Sequence, residues 1–186
     1  SKEATFPGAE HCITSNDAFY LKKLPKRIIV VGGGYIAVEF AHIFHGLGCD
    51  TTLVYRGEKI LRGFDEDIRD CLIAEMHRNG IRIVNNRNFK RIDKLDGELF
   101  ALTEHGEMIE ADAVMLAIGR HPNTDGMGLE NAGVTLGKKG EVKVDQYSKT
   151  NVDHIYSIGD VTDRLQLTPV AIHEAMCFVK TVFDGK

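Results

Sequence analysis

The residues best placed to do chemistry begin with glycines. Gly32, Gly34 and Ala37 form a Gly-x-Gly-x-x-Ala pattern directly behind the apolar run Ile28-Ile29-Val30-Val31. In that context each small residue has a task. Gly32 permits a tight turn, Gly34 lets the backbone approach a pyrophosphate, and Ala37 keeps the following helix close to the strand. The helix start then offers free N–H groups and the positive end of its dipole to an anion. A second set of residues stands where the next strand ends. A unit that binds NAD usually carries an acid there for the ribose 2′-hydroxyl. Here the chain reads Tyr55-Arg56-Gly57, with Arg62 close behind and Glu58 the only nearby acid. Arginines at this place suit a ribose 2′-phosphate, held by charge-assisted hydrogen bonds. The pattern favours NADP(H) over NAD(H).

Other candidate chemistry is thinner. His42 and His45 stand three apart on a predicted helix, a spacing that could hold a metal, but no third ligand is evident and the reading is two ordinary histidines. The four cysteines, Cys12, Cys49, Cys71 and Cys177, form no C-x-x-C pair, which argues against a zinc ribbon or a local redox pair. Isolated thiols of this kind fit a reducing compartment, and the cytoplasm is the expected location.

The elements that must position these residues are readable from hydrophobic period. The run 27–31 is β-branched and bounded by Pro25 and Gly32-Gly33-Gly34, as a buried parallel strand should be. From Tyr35 the period changes: Ile36, Val38, Phe40, Ala41, Phe44 and Leu47 predict a helix stopped by Gly46 and Gly48. Residues 51–55 predict a second strand. Asp65 caps the next predicted helix, which carries Ile68, Cys71, Leu72, Ala74 and Met76 at helical spacing and stops at Gly80. Residues 81–84 predict a third strand. This β-α-β-α-β order implies a parallel sheet with right-handed crossovers. Residues 88–111 then break the alternation, with turn signals at Asp96-Gly97 and His105-Gly106, and predict a small antiparallel meander. Residues 113–118 predict a further buried strand. Strands near 141–144 and 154–158 and a helix after Pro169 complete the expectation.

Composition bounds the function classes. The chain has 186 residues, 43% hydrophobic and 27% charged, with a net charge of −4. That is ordinary globular composition and excludes disordered, collagenous and disulfide-scaffold classes. The net charge gives no reason to expect nucleic acid or an anionic membrane surface. The most apolar stretch, residues 28–41, is interrupted by three glycines and carries Glu39, so no membrane span is expected. The chain starts at Ser1, with neither an initiator methionine nor a signal peptide, and the expectation is a piece of something longer.

Four blocks of residues resemble one family. Residues 31–40, Val-Gly-Gly-Gly-Tyr-Ile-Ala-Val-Glu-Phe, resemble the NADPH motif of the glutathione reductase family, the class I flavin-dependent pyridine nucleotide-disulfide oxidoreductases. Residues 60–65, Ile-Leu-Arg-Gly-Phe-Asp, are similar to the arginine-bearing loop of its glutathione and trypanothione reductase branch. Residues 117–120, Ala-Ile-Gly-Arg, resemble the strand end that closes the nucleotide domain. Residues 155–161, with 167–171 behind them, resemble the second flavin motif. The resemblance implies roles. Gly32, Gly34, Tyr35 and Ile36 would sit at the NADPH pyrophosphate and nicotinamide, with the Tyr35 ring covering the nicotinamide pocket and moving aside. Glu39 would pair with a flavin-domain lysine whose segment is not in this chain. Arg56 and Arg62 would hold the 2′-phosphate, although Gly57 stands where a further basic residue often follows. Gly119 would touch the cofactor through its backbone, Asp160 would bind the flavin ribitol, and Thr168 would approach the flavin pyrimidine edge.

The resemblance also implies an architecture. Residues 1–122 would form a Rossmann-like NADPH-binding domain: a parallel sheet, a small antiparallel β-meander and an N-terminal connection. Residues 123–186 would be a return segment of the FAD-binding domain. The family's first flavin motif, its C-x-x-x-x-C pair and its dimerisation domain with a catalytic His-Pro-Thr segment are not in this sequence. His121-Pro122 is not that segment, since Asn123 stands in place of the threonine. The expectation is therefore a middle fragment, inactive alone. Its homodimeric parent would pass a hydride from NADPH through FAD to a redox disulfide and on to glutathione disulfide. Trypanothione reductase, another disulfide reductase of the family, or a non-catalytic NADP(H)-binding module are the alternatives. In the return segment, apolar faces at Val142, Val144, Ile155, Ile158 and Val170 are expected to lack partners.

Overall fold

The computed structural model describes residues 4–185. The chain divides into two compact units, the first ending at Gly119 and the second beginning at Arg120. The boundary expected from the sequence follows residue 122.

The first unit is built from β1 (Ile13–Thr14), α1 (Ser15–Ala18), β2 (Arg27–Val31), α2 (Tyr35–Gly46), β3 (Asp50–Val54), α3 (Glu66–Arg78), β4 (Arg82–Val84), β5 (Phe89–Leu95), β6 (Glu98–Thr103), β7 (Met108–Ala111) and β8 (Ala113–Leu116). Five strands form a parallel sheet in the order β1-β8-β2-β3-β4, and β5-β6-β7 form a separate antiparallel sheet. The central strand explains the layering. Ile28, Ile29 and Val30 are all fully buried, as a strand covered on both faces must be. Alternate side chains go to opposite cores. Ile28 and Val30 meet α2 through Ala37, Phe40, Ala41 and Phe44, while Ile29 meets the meander through Phe89, Ile92, Leu99 and Ile109. Helices therefore cover one face of the parallel sheet and the meander covers the other. Asp96 and Gly97, with φ of 51° and 90°, make the two-residue turn between β5 and β6, the conformation that matches strand twist in a hairpin.

Two expectations need correction in this unit, and one element carries no sequence signal. The N-terminal residues hold a short strand, β1, which pairs in parallel with β8; two residues are too few to give a periodic signal. Leu47 lies outside the buried stripe of α2 and is exposed. On α3 the inward face is Arg69, Leu72, Ile73 and Met76, whereas Ile68, Cys71 and Ala74 face solvent. Both stripes have helical spacing, and the polarity of Arg69 hides the true one. Asp65 caps α3 as expected, accepting hydrogen bonds from the N–H groups of Asp67 and Ile68 at 3.1 and 3.2 Å.

The second unit has a 3-10 turn at Gly159–Thr162 and the helix α4 (Thr168–Phe183), with Pro169 in its first turn. Among the described residues the strands expected near 141–144 and 154–158 are single bridges, Leu136 to Val142 and Lys149 to Tyr156. Alternating sequence signals a strand, but a ladder needs a neighbour along its length. Val142 is buried, and Val144, Ile155, Ile158 and Val170 are half-buried. Exposed apolar surface lies instead on α4, none of whose residues is buried; Ile172, Met176, Val179 and Phe183 face solvent.

Candidate functional site

Three segments converge at the carboxyl ends of the parallel strands, beside the point where the chain leaves β2 in one direction and β8 lies in the other. Such switch points are where open α/β sheets bind ligands. The turn after β2 comes first. Gly32 has φ of 143°, and a Cβ there would lie 2.3 Å from the Ala117 carbonyl oxygen. Only glycine fits. The same close approach joins the turn to the end of β8, where the Ala117 N–H donates to the Val31 carbonyl at 2.7 Å. Gly34 differs: its φ is −86°, and a Cβ would meet nothing within 4 Å. Its smallness therefore leaves open space over the N-terminus of α2, where a ligand phosphate could approach. Gly34 also has no side chain with which to cap the helix, so no cap stands between an anion and the helix N-terminus.

The second segment runs from Tyr55 to Arg62. Leu61 donates its N–H to the Gly33 carbonyl at 2.6 Å, which ties this loop to the glycine turn. Between them lies the Tyr55 ring. A Cβ on Gly33 would come 2.4 Å from it, and one on Gly57 would come 2.7 Å from it. Gly33 and Gly57 thus have a packing role that the Gly-x-Gly-x-x-Ala pattern does not announce. A cavity of roughly 540 Å³ opens on this loop, lined by Tyr55, Arg56, Lys59, Arg62, Glu66 and Arg69 among others. The structure brings Arg56 and Arg62 together on that cavity. Among the described residues neither makes a hydrogen bond or ion pair.

Lys59 and Arg69 were not singled out by the sequence, and both are already engaged. The Lys59 ammonium lies 2.7 Å from Asp70 and 3.3 Å from Glu66, and these carboxylates raise its pKa. Arg69 pairs with Glu66 and donates to the carbonyls of Lys59 and Ile60. Four cations and two acids, Glu58 and Glu66, therefore line the cavity. Among the described residues the uncommitted charge is that of Arg56 and Arg62, a match for the charge of about −1.5 to −2 on a phosphate monoester.

The other expected residues fall as follows. Tyr35, Ile36 and Glu39 lie along the first turns of α2, with Tyr35 and Glu39 exposed and Ile36 half-buried. Gly119 is exposed just beyond β8. Asp160 and Thr168 belong to the second unit. Asp160 sits in the 3-10 turn, half-exposed, with its carboxylate 3.5 Å from Arg120. Thr168 opens α4 and is exposed. Behind them Gly159 donates its N–H to Glu174 at 2.7 Å, and Glu174 pairs with Arg164 at 3.2 Å. His42 bonds the Val38 carbonyl through its ring nitrogen at 2.8 Å, and among the described residues no cluster could hold a metal. All four cysteines are free, and burial, with Glu10 behind it, pushes the Cys12 thiol up to about 12. Burial raises Cys49 as well.

Comparison with known proteins places this geometry in a family. The profile of the pyridine nucleotide-disulphide oxidoreductases matches residues 1–175, and the chain belongs to that family. Trypanothione reductase of Leishmania donovani is 53% identical over 185 residues, covering 97% of this chain. Glutathione reductase of Burkholderia cepacia is 48% identical over 179 residues, covering 96%. The chain spans only 38% and 40% of the length of these two curated relatives. Among solved structures, the HOCl-induced flavoprotein disulfide reductase RclA of Escherichia coli superposes with a TM-score of 0.93 at 29% identity, over all of this chain and 43% of that one. Among the described residues no helix is long and apolar enough to cross a membrane.

Proposed function

We propose that this chain is the NADPH-binding part, and a portion of the FAD-binding part, of a flavoprotein disulfide reductase of the glutathione reductase type. The observation that carries the reading is the cavity beside the glycine turn, where, among the described residues, Arg56 and Arg62 stand uncommitted while Lys59 and Arg69 are paired with acids. Gly32, Gly34, Tyr35, Ile36 and Gly119 hold the dinucleotide along the strand ends, and the arginine pair holds its 2′-phosphate. When bound, NADPH would supply a hydride for the FAD of the whole protein. This chain's own work is to bind and orient: the open space at Gly34 admits the pyrophosphate, and the α2 N-terminus faces its charge. Glu39, Asp160 and Thr168 are this chain's contribution toward the flavin. The whole enzyme is a cytoplasmic homodimer that reduces glutathione disulfide, and this chain alone has no disulfide reductase activity. Trypanothione reductase is the second reading, favoured by the 53% identity to the Leishmania donovani enzyme.

Calorimetry with NADPH and NADH tests the reading. A charge-assisted hydrogen bond contributes about 1.5–3 kcal/mol, so NADPH should bind at least about tenfold tighter. The Arg56→Ala/Arg62→Ala chain should lose that gap while its NADH affinity stays. Equal affinity for both cofactors in the unchanged chain would refute the 2′-phosphate assignment.

A further inference from the structure

We propose that Arg69 is a positioning residue for cofactor selection, acting by fixing the backbone that presents Arg62. The proposal rests on the cavity being a 2′-phosphate site. Arg69 stands out on α3 because Glu66, Asp67 and Asp70 around it are exposed, whereas Arg69 is 9% exposed. Its guanidinium reaches back under the preceding loop. Nε donates to the Ile60 carbonyl at 2.7 Å, Nη2 donates to the Lys59 carbonyl at 2.8 Å, and Nη1 pairs with Glu66. A planar fork that holds two successive carbonyls fixes both peptide planes. The next residue, Leu61, has φ of 54°, a left-handed region that bulky side chains avoid. Its N–H is held by Gly33 at 2.6 Å and its side chain is buried. The loop is thus clamped on one side by Arg69 and on the other by the glycine turn. Arg62 follows directly, exposed and unpaired among the described residues. Because Glu66 neutralises Arg69, the brace does not compete for the phosphate it helps to place.

Calorimetry with 2′,5′-ADP and 5′-AMP, together with amide exchange at Leu61 and Phe64, tests the proposal on Arg69→Gln and Arg69→Lys. Both variants should lose about tenfold of the preference for 2′,5′-ADP while 5′-AMP affinity stays. Exchange at the hydrogen-bonded amides of Leu61 and Phe64 should rise by about an order of magnitude, with β2 and β8 still protected. Lysine should not rescue, since one ammonium cannot span both carbonyls. A preference that survives in both variants, or rescue by lysine, would overturn the proposal. So would protection lost across β2 and β8 along with binding of both nucleotides, which would make the role structural only. If the unchanged chain shows no preference for 2′,5′-ADP, the cofactor reading itself fails, and the selection role with it.

Discussion

Neighbouring glycines in the turn after β2 do unlike work, and substitution separates them. A Cβ at Gly32 would collide with the Ala117 backbone, which cannot move without β8, whereas a Cβ at Gly34 would meet open space. Gly32→Ala should therefore unfold at a clearly lower temperature. Gly34→Ala should keep its stability within about 1 kcal/mol, because the gain in the unfolded state and the loss of a helix-cap preference are of similar size. It should nevertheless weaken NADPH, since the methyl group occupies the approach to the phosphate. Thermal melts paired with calorimetry check both, and equal melting losses would show that the open space is not real. At this scale the sequence singled out Gly32, Gly34, Arg56 and Arg62 because each suits a chemical need at a strand end. It did not disclose Gly33 or Gly57, whose constraint is the Tyr55 ring, or Arg69, whose constraint is a folded loop. Those constraints are contacts, and no local spacing encodes them.

The elements are tied together by Arg27 at the start of β2. Its guanidinium meets Glu98 on β6, Glu110 on β7 and Asp112 before β8, the last at 2.7 Å. Asp112 also accepts the backbone N–H groups of Lys26 and Arg27 at 2.9 Å. The Arg27 guanidinium, then the backbone donors, hold the Asp112 carboxyl below its usual value against the opposing effect of burial. A carboxylate depressed in the folded state adds stability above its unfolded pKa and loses it as pH falls through the folded value. The gap in melting temperature between the native chain and Asp112→Asn should thus be full at neutral pH and shrink below about pH 4; a gap independent of pH down to pH 2 would contradict the assignment. Element order was legible because β-branched runs, helical period and the Asp-Gly turn signal agreed. The second unit was less so: its alternating stretches around Val142 and Tyr156 make only single bridges among the described residues, since pairing is a property of neighbours and not of one segment.

As a whole molecule, the chain has a first unit with buried cores on both faces of its sheet and a second whose longest helix has no fully buried residue. Local stability follows such burial. Amide exchange should find β2, β3 and β8 far better protected than α4 and residues 140–158, and equal protection in a monomer would contradict the account. The central claim is that the dinucleotide lies across the glycine turn and the arginine loop of the first unit. Amide chemical shifts recorded while NADPH is added test it most directly. Changes concentrated at residues 32–37, 55–62 and 117–119, and much smaller at Arg56 and Arg62 with NADH, are the predicted result. Changes centred elsewhere in the chain, or the same at 55–62 with both cofactors, would contradict it.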